Sequence, residues 1–175
     1  MISIGEPAPD FELAGVRDGD DGRWGVAEYR GRWLVLFFYP ADFTFVCPTE
    51  VVGFHRELPT FQHHGVDVLG VSVDSIESHR EWARELGGIA YPLLSDPAGL
   101  VADAYGVLDR EAKVARRVSV VIDPQGIVQH VVASHHNVGR SVEETLRVVR
   151  ALQTGRLCPA DWQPGDATSD LGPKY

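Results

Sequence analysis

Cysteine is scarce in this chain, with two in 175 residues. That is too few for the disulfide lattice of small secreted domains. Nor is a lattice needed, because a domain of this length buries roughly 70% of the surface its unfolded chain exposes. Basic residues are also short: sixteen Lys and Arg face twenty-five Asp and Glu, a formal net charge of −9. With an isoelectric point near 5.1, no nucleic-acid partner is expected, since a phosphate backbone needs a basic face. Anchoring to an anionic membrane is disfavoured for the same reason. The longest apolar run, Trp33 to Tyr39, is far too short to span a bilayer. The opening residues, Met1-Ile2-Ser3-Ile4-Gly5-Glu6-Pro7, lack the charged and apolar regions of a signal peptide. A cytoplasmic protein is expected, in which two cysteines are reactive or inert rather than bridged.

Cofactor and metal signatures are missing too. There is no Cys-x-x-Cys and no His-x-x-x-His, so the pairs His63-His64 and His135-His136 read as solvated histidines and no metal is expected. Walker, dinucleotide-binding and nucleophile-elbow patterns are absent, and no cofactor is expected.

What is present alternates between strand and helix. Residues 33–39 and 66–73 are apolar, β-branched runs of the kind buried on both faces of a sheet. Val118–Ile122 and Ile127–Val132 flank Asp123-Pro124-Gln125-Gly126, a hairpin turn. Residues 15–25 are rich in turn formers and read as a surface excursion. After Pro48, apolar residues recur at Val51, Phe54, Leu58 and Phe61 in a helical stripe that Pro59 is expected to kink or break. A second helix is expected over 75–86, closed by Gly87-Gly88. Ser141-Val142-Glu143-Glu144 is a capping box leading into a stripe of Val142, Leu146, Val149 and Leu152. These elements predict one α/β domain over 1–153, built on a central mixed sheet with flanking helices. An extended, mobile arm is expected over 154–175, where periodicity stops.

Cys47 stands just beyond the first buried strand, within Cys47-Pro48-Thr49-Glu50. These four residues read as a boxed helix start, with the cysteine at the N-cap or in the first turn, Pro48 at N1 and Glu50 at N3. Unpaired N–H groups and the positive end of the helix dipole favour thiolate over thiol there. Thr44 lies one turn earlier, where its hydroxyl can reach the sulfur or a bound oxygen. Pro40 and Pro48 stiffen the surrounding backbone and can shield the sulfur from water. A buried, inert cysteine that happens to begin a helix remains an equally physical reading at this point.

The spacing Pro40-xxx-Thr44-xx-Cys47 matches the PxxxTxxC signature, and on it the chain resembles the peroxiredoxins. Asp42 to Glu50 is similar to the typical 2-Cys branch, the alkyl hydroperoxide reductase C type. Ala8-Pro9-Asp10-Phe11, Tyr91 to Asp96, Val121 to Ile127, Val138 to Arg147 and Cys158 to Gly165 resemble further family segments. The resemblance runs from about residue 5 to about 168. It implies a thioredoxin-like fold with N- and C-terminal additions and a thiol-dependent reduction of hydrogen peroxide and organic hydroperoxides. By it Cys47 is the peroxidatic cysteine and Cys158 the resolving one. Arg117, Thr44 and Pro40 belong to the catalytic set, with Glu50 and Arg140 orienting the arginine. Arg116, by strand alternation, points elsewhere. The implied partners are a peroxide, a thioredoxin-like or other dithiol reductase protein, and a second copy in a homodimer or a ring of dimers.

Two departures are visible. The Gly-Gly-Leu-Gly insertion and the Tyr-Phe ending of oxidation-sensitive relatives are missing: Gly87-Gly88-Ile89 runs straight into Ala90-Tyr91-Pro92, and Tyr175 is a poor match. Cys47 is therefore expected to resist over-oxidation. A redox sensor or holdase that hands its oxidation to a partner protein uses the same cysteine, and stands as the alternative function.

Overall fold

The computed structural model describes residues 2–170; Tyr175, weighed above against the Tyr-Phe ending, lies outside them. The chain divides into two compact units, Met1–Arg140 and Ser141–Tyr175. Among the described residues no helix is long and apolar enough to cross a membrane.

The first unit is organised by strand β3 (Trp33–Phe38), the apolar run noted above. It pairs in parallel with β4 (Val66–Ser72) and antiparallel with β8 (Arg117–Ile122). The seven strands follow the order β2-β1-β5-β4-β3-β8-β9. Here β1 is Glu12–Arg17, β2 Asp20–Gly25, β5 Leu93–Ser95 and β9 Val128–Ser134. The sheet is mixed, as expected. A separate two-stranded ribbon joins β6 (Leu108–Asp109) to β7 (Val114–Ala115). Helices α1 (Cys47–His63), α2 (Ile76–Glu85) and α3 (Leu100–Ala104) complete the unit.

Because β3 is central, both of its faces are buried, which is why its sequence does not alternate. Leu34, Leu36 and Phe38 join Leu69, Val71, Val118, Val120 and Ile122 in one apolar cluster. Successive side chains point to opposite faces, so Phe37 and Tyr39 serve the other side. There the Phe37 ring stacks on Phe54 of α1 at 4.5 Å between centroids and meets Tyr91 edge-on at 5.9 Å. Gly70 of β4 makes room for this ring, since a Cβ there would lie 2.8 Å from Phe37 Cζ.

Three readings are corrected by local physics. The excursion over 15–25 is the β1–β2 hairpin, turned at Asp18 (φ 51°) and Gly19 (φ 87°). An Asp-Gly pair with both φ positive is the turn whose twist suits a tight hairpin, and that signal was in the sequence. Pro59 does not break α1, which continues to His63; the apolar stripe continues through it with Leu58 and Phe61 buried. The run Thr154 to Asp170 is not extended: Leu157 and Ser169 exchange backbone hydrogen bonds of 2.9 and 3.0 Å, so the chain doubles back.

In the second unit Ser141 caps α4 (Val142–Gln153), its Oγ accepting the Glu144 N–H at 3.1 Å. The Trp162 carbonyl accepts Arg147 at 2.9 Å, and the Trp162 indole donates to the Asp166 carbonyl at 3.2 Å.

Phe54→Ala is expected to lower unfolding free energy by about 3–5 kcal/mol in urea denaturation, the usual cost of emptying a buried aromatic position. A loss under about 1 kcal/mol would mean that the Phe37–Phe54 face is not the packed layer described.

Candidate active site

The buried face of α1 carries Val51, Phe54, Leu58 and Phe61, and one helical turn toward the N-terminus it carries Cys47 and Glu50. Helical spacing sets this: Cys47 is four residues before Val51 and Glu50 four before Phe54, so both continue the core-facing stripe. A thiol and a carboxylate are thereby carried into the interior. Cys47 is fully buried and Glu50 is 2% exposed. Cys47 opens the helix, with Val46 before it as N-cap and Pro48 following. The box expected at this start is not formed by Glu50. Its carboxylate turns inward to two guanidinium groups rather than back to the N-cap.

Arg117, first residue of β8, is 3% exposed. Its Nη1 donates to Glu50 Oε2 at 2.7 Å and to Cys47 Sγ at 3.2 Å, and its Nε donates to the His136 carbonyl at 2.8 Å. Arg116 points away, exposed, with its Nε 3.7 Å from Asp109, as alternation along a strand requires. Arg140, in the loop beyond β9, closes the cluster. Its backbone N–H and Nε donate to Glu50 Oε1 at 2.8 and 2.7 Å, and its Nη2 to Oε2 at 3.0 Å. Its Nη1 donates to Ser119 Oγ at 3.1 Å, while the guanidinium lies 5.7 Å from the Phe37 ring centroid. Ser119 of β8, which accepts that bond from Arg140, was not singled out from sequence, although a serine inside the run Val118–Ile122 was the available signal.

Four predicted residues, Cys47, Arg117, Glu50 and Arg140, are thus in one hydrogen-bonded cluster. Thr44 is exposed, and its hydroxyl donates to the Ala41 carbonyl at 3.3 Å rather than to the sulfur. Pro40 is half-buried and lines a cavity of about 740 Å³ together with Ala115, Arg117, Ser134, His135 and His136. Cys158, in the second unit, is a half-buried free thiol with Sγ 3.4 Å from Thr154 Oγ1 and 3.7 Å from the Ala151 carbonyl. Cys47 is a free thiol as well. Among the described residues no group of three or more His, Cys, Asp or Glu is placed to hold a metal ion.

The electrostatics of the cluster turn on Glu50. Burial by itself would push its carboxyl up. The hydrogen bonds and charge of Arg140, that residue's backbone N–H and the charge of Arg117 outweigh burial and hold the group below its ordinary value of 4.5. A carboxyl lowered by folding contributes stability that is fully present above about pH 4.5 and is lost as pH falls through the folded value. Glu50→Gln leaves both guanidiniums buried without a counter-charge, and is expected to cost about 3–5 kcal/mol in urea denaturation at pH 7. The gap to wild type should narrow as the pH drops below 4.5. A gap that stays constant through that range would mean that Glu50 is not ionised in the folded protein.

The chain is similar to known proteins over most of its length. Residues 4–131 match the AhpC/TSA family. A selenocysteine-containing peroxiredoxin of Peptoclostridium acidaminophilum is 46% identical over 99% of this chain and 91% of its own. Peroxiredoxin-2 of Cricetulus griseus is 43% identical over 94% of this chain and 88% of its own. The crystal structure of a reduced 2-Cys peroxiredoxin from Plasmodium vivax superposes with a TM-score of 0.89 at 37% identity, covering 94% of this chain and 91% of that one. The fold is the thioredoxin-like α/β fold. The chain belongs to the AhpC/TSA family and is a peroxiredoxin.

Proposed function

We infer that the chain reduces hydrogen peroxide and small organic hydroperoxides through a two-cysteine cycle, with Cys47 as nucleophile and Cys158 as resolving thiol. The observation that carries this reading is Arg117 Nη1 standing 3.2 Å from Cys47 Sγ while Glu50 fixes the same nitrogen at 2.7 Å. Charge explains its value. Arg117 and Arg140 bring two positive charges into the interior and Glu50 one negative charge, so a thiolate at Cys47 completes the balance. The thiolate is the nucleophilic form of cysteine.

The chemistry then balances in three steps. The Cys47 thiolate attacks the terminal oxygen of ROOH, the O–O bond breaks, and RO⁻ leaves and takes a proton as water or alcohol. Cys47 is left as sulfenic acid. Arg117, permanently protonated and presenting fixed donors, stabilises the charge that develops on the departing oxygen. Pro40 and Arg117 line the cavity from which the peroxide approaches, and the Thr44 hydroxyl, held on the neighbouring loop, completes its hydrogen-bonding surround once it rotates from Ala41. In the second step the Cys158 thiol attacks the sulfenic sulfur, forming a disulfide and releasing water. In the third an external dithiol protein reduces that disulfide and is itself oxidised. Cys158 is contributed by a second copy in a homodimer, the arrangement of the typical 2-Cys branch.

Intact mass without reductant, after one equivalent of hydrogen peroxide, tests the cycle. A species at twice the 19.2 kDa chain mass, lost in Cys47→Ser and in Cys158→Ser, is expected. A single-chain species short of two hydrogens would place the resolving thiol on the same chain and refute the dimer. Unchanged thiols would refute the reading altogether. Steady turnover with a dithiol reductant separates a peroxidase from a sensor, which would give slow oxidation and mixed disulfides with partners. Arg117→Met should slow sulfenic acid formation by about a hundredfold to a thousandfold, the range seen when one preorganised donor is removed. With the Gly-Gly-Leu-Gly insertion missing, Cys47 should give little sulfinic acid by mass spectrometry at modest peroxide excess. Its accumulation would contradict this expectation.

A further inference from the structure

A second buried polar cluster lies beside the first and takes no part in the chemistry above. His79 of α2 is fully buried. Its Nδ1 is 2.8 Å from Asp42 Oδ2, and its Nε2 is 3.1 Å from the Leu94 carbonyl of β5. The Tyr39 hydroxyl stands 3.5 Å from the same Nδ1, so the imidazole bridges the loop residue Asp42 and strand β5 with both ring nitrogens engaged. Asp42 is also buried. It accepts the Tyr39 hydroxyl at 2.9 Å and the Ser78 hydroxyl at 2.9 Å, and its backbone N–H donates to Asp74 Oδ2 at 2.9 Å.

Asp42 belongs to the loop that joins β3 to Cys47. The next residue, Phe43, has a φ of 54°, a left-handed conformation that costs a bulky L-residue free energy and persists only where the surroundings impose it. Its ring packs 6.2 Å from Trp82, one turn after Ser78 and His79. Three side chains of one face of α2 therefore grip two consecutive loop residues. Beyond this grip the loop is free: Phe45 is 94% exposed.

We propose that His79 is a positioning residue whose two-sided bond from Asp42 to the Leu94 carbonyl holds the loop over 40–46, and so sets how readily Cys47 leaves the Arg117 pocket to meet its resolving thiol. The proposal rests on the two-cysteine reading above. Attack on peroxide needs Cys47 against Arg117, whereas disulfide formation needs the fully buried sulfur to come out. The clamp therefore favours the first step and retards the second. Loosening it moves the two rates in opposite directions, which a general loss of packing does not do. The sulfenic acid gains or loses nothing chemically in this transition; only the population of the released loop changes.

The test is rapid quench of the reduced protein with excess peroxide, reading thiol, trapped sulfenic acid, disulfide and sulfinic acid by mass. His79→Gln leaves a polar side chain able to make only one of the two bonds. It is expected to speed disulfide formation about tenfold, the factor for losing one charge-assisted hydrogen bond, while thiol consumption slows and sulfinic acid yield falls. Ser78→Ala, which removes one neutral bond to Asp42, should shift the same rates in the same directions by about fivefold, and decides the matter if His79→Gln does not fold. Unchanged rates, or both steps slowed together, would overturn the clamp. Absence of any Cys47–Cys158 disulfide in the wild-type protein would instead overturn the two-cysteine reading, and the clamp with it.

Discussion

A carboxylate taken out of water must find its own positive charge, and the interior around Glu50 is arranged by that requirement. The side chain faces inward because helical spacing puts it on the stripe that carries Phe54. Once there, it accepts three donors from Arg140 and one from Arg117. These arginines come from the start of β8 and from the loop beyond β9, so one buried charge ties three separate parts of the first unit together. An isolated ion pair in the interior barely offsets its own desolvation. What makes this one tolerable is the number of bonds and the bidentate fit of a guanidinium to a carboxylate. The arrangement is worth more as a device for fixing geometry than as a source of stability, and the geometry it fixes is the 3.2 Å separation of Arg117 from the sulfur.

Tyr39 shows how the aromatic layer beneath serves the same end. Burial and the nearby Asp42 push its hydroxyl well above the ordinary tyrosine value. The phenol therefore stays a proton donor to that carboxylate. The ring itself is wedged between Phe37 and Trp82 at 5.7 and 5.8 Å. The residue directly after β3 thus packs on one side and hydrogen-bonds on the other, and the loop leading to Cys47 begins from a fixed point.

Much of this was legible in the residues. Strand β3 was readable because a run of seven apolar residues has few alternatives to a doubly buried strand, α4 because a serine cap and an apolar stripe agree, and α2 because Gly87-Gly88 marks its end. Cys47 was reachable through a spacing signature, whereas Arg117, Glu50 and Arg140 came only from the family resemblance. What escaped was of a different kind. The β1–β2 hairpin was hidden because its strands mix Gly, Asp and Arg with few apolar residues, and only the Asp-Gly turn betrays it. Glu50 satisfied a local capping pattern and a tertiary one at once, and the charge of two distant arginines won over the helix end. His79 carries no local signature: a lone histidine on a polar helix looks like a surface residue until the loop that holds Asp42 is laid over it. Local pattern identifies elements, whereas the pairing of buried charges depends on which distant segments meet.

Two buried clusters then divide opposing demands. None of the hydrogen bonds described above for the Arg117, Glu50 and Arg140 cluster involves the loop over 40–46: its donors come from β8 and from the segment beyond β9, and Glu50, on the first turn of α1, accepts them. The Asp42 and His79 contacts, by contrast, tie the loop to α2 and β5 and involve no residue of α1. A protein that held Cys47 only by the first cluster would have to dismantle its catalytic electrostatics in order to release the sulfur. On the proposed reading, a loop gripped separately can release Cys47 at the very start of α1 while Glu50, three residues further on, keeps its bonds to both arginines. In that proposed opening the left-handed Phe43 would be free to relax, which lowers the cost of the loop's departure. On the proposed reading, reactivity and release are set by different residues, and each can be altered without rebuilding the other.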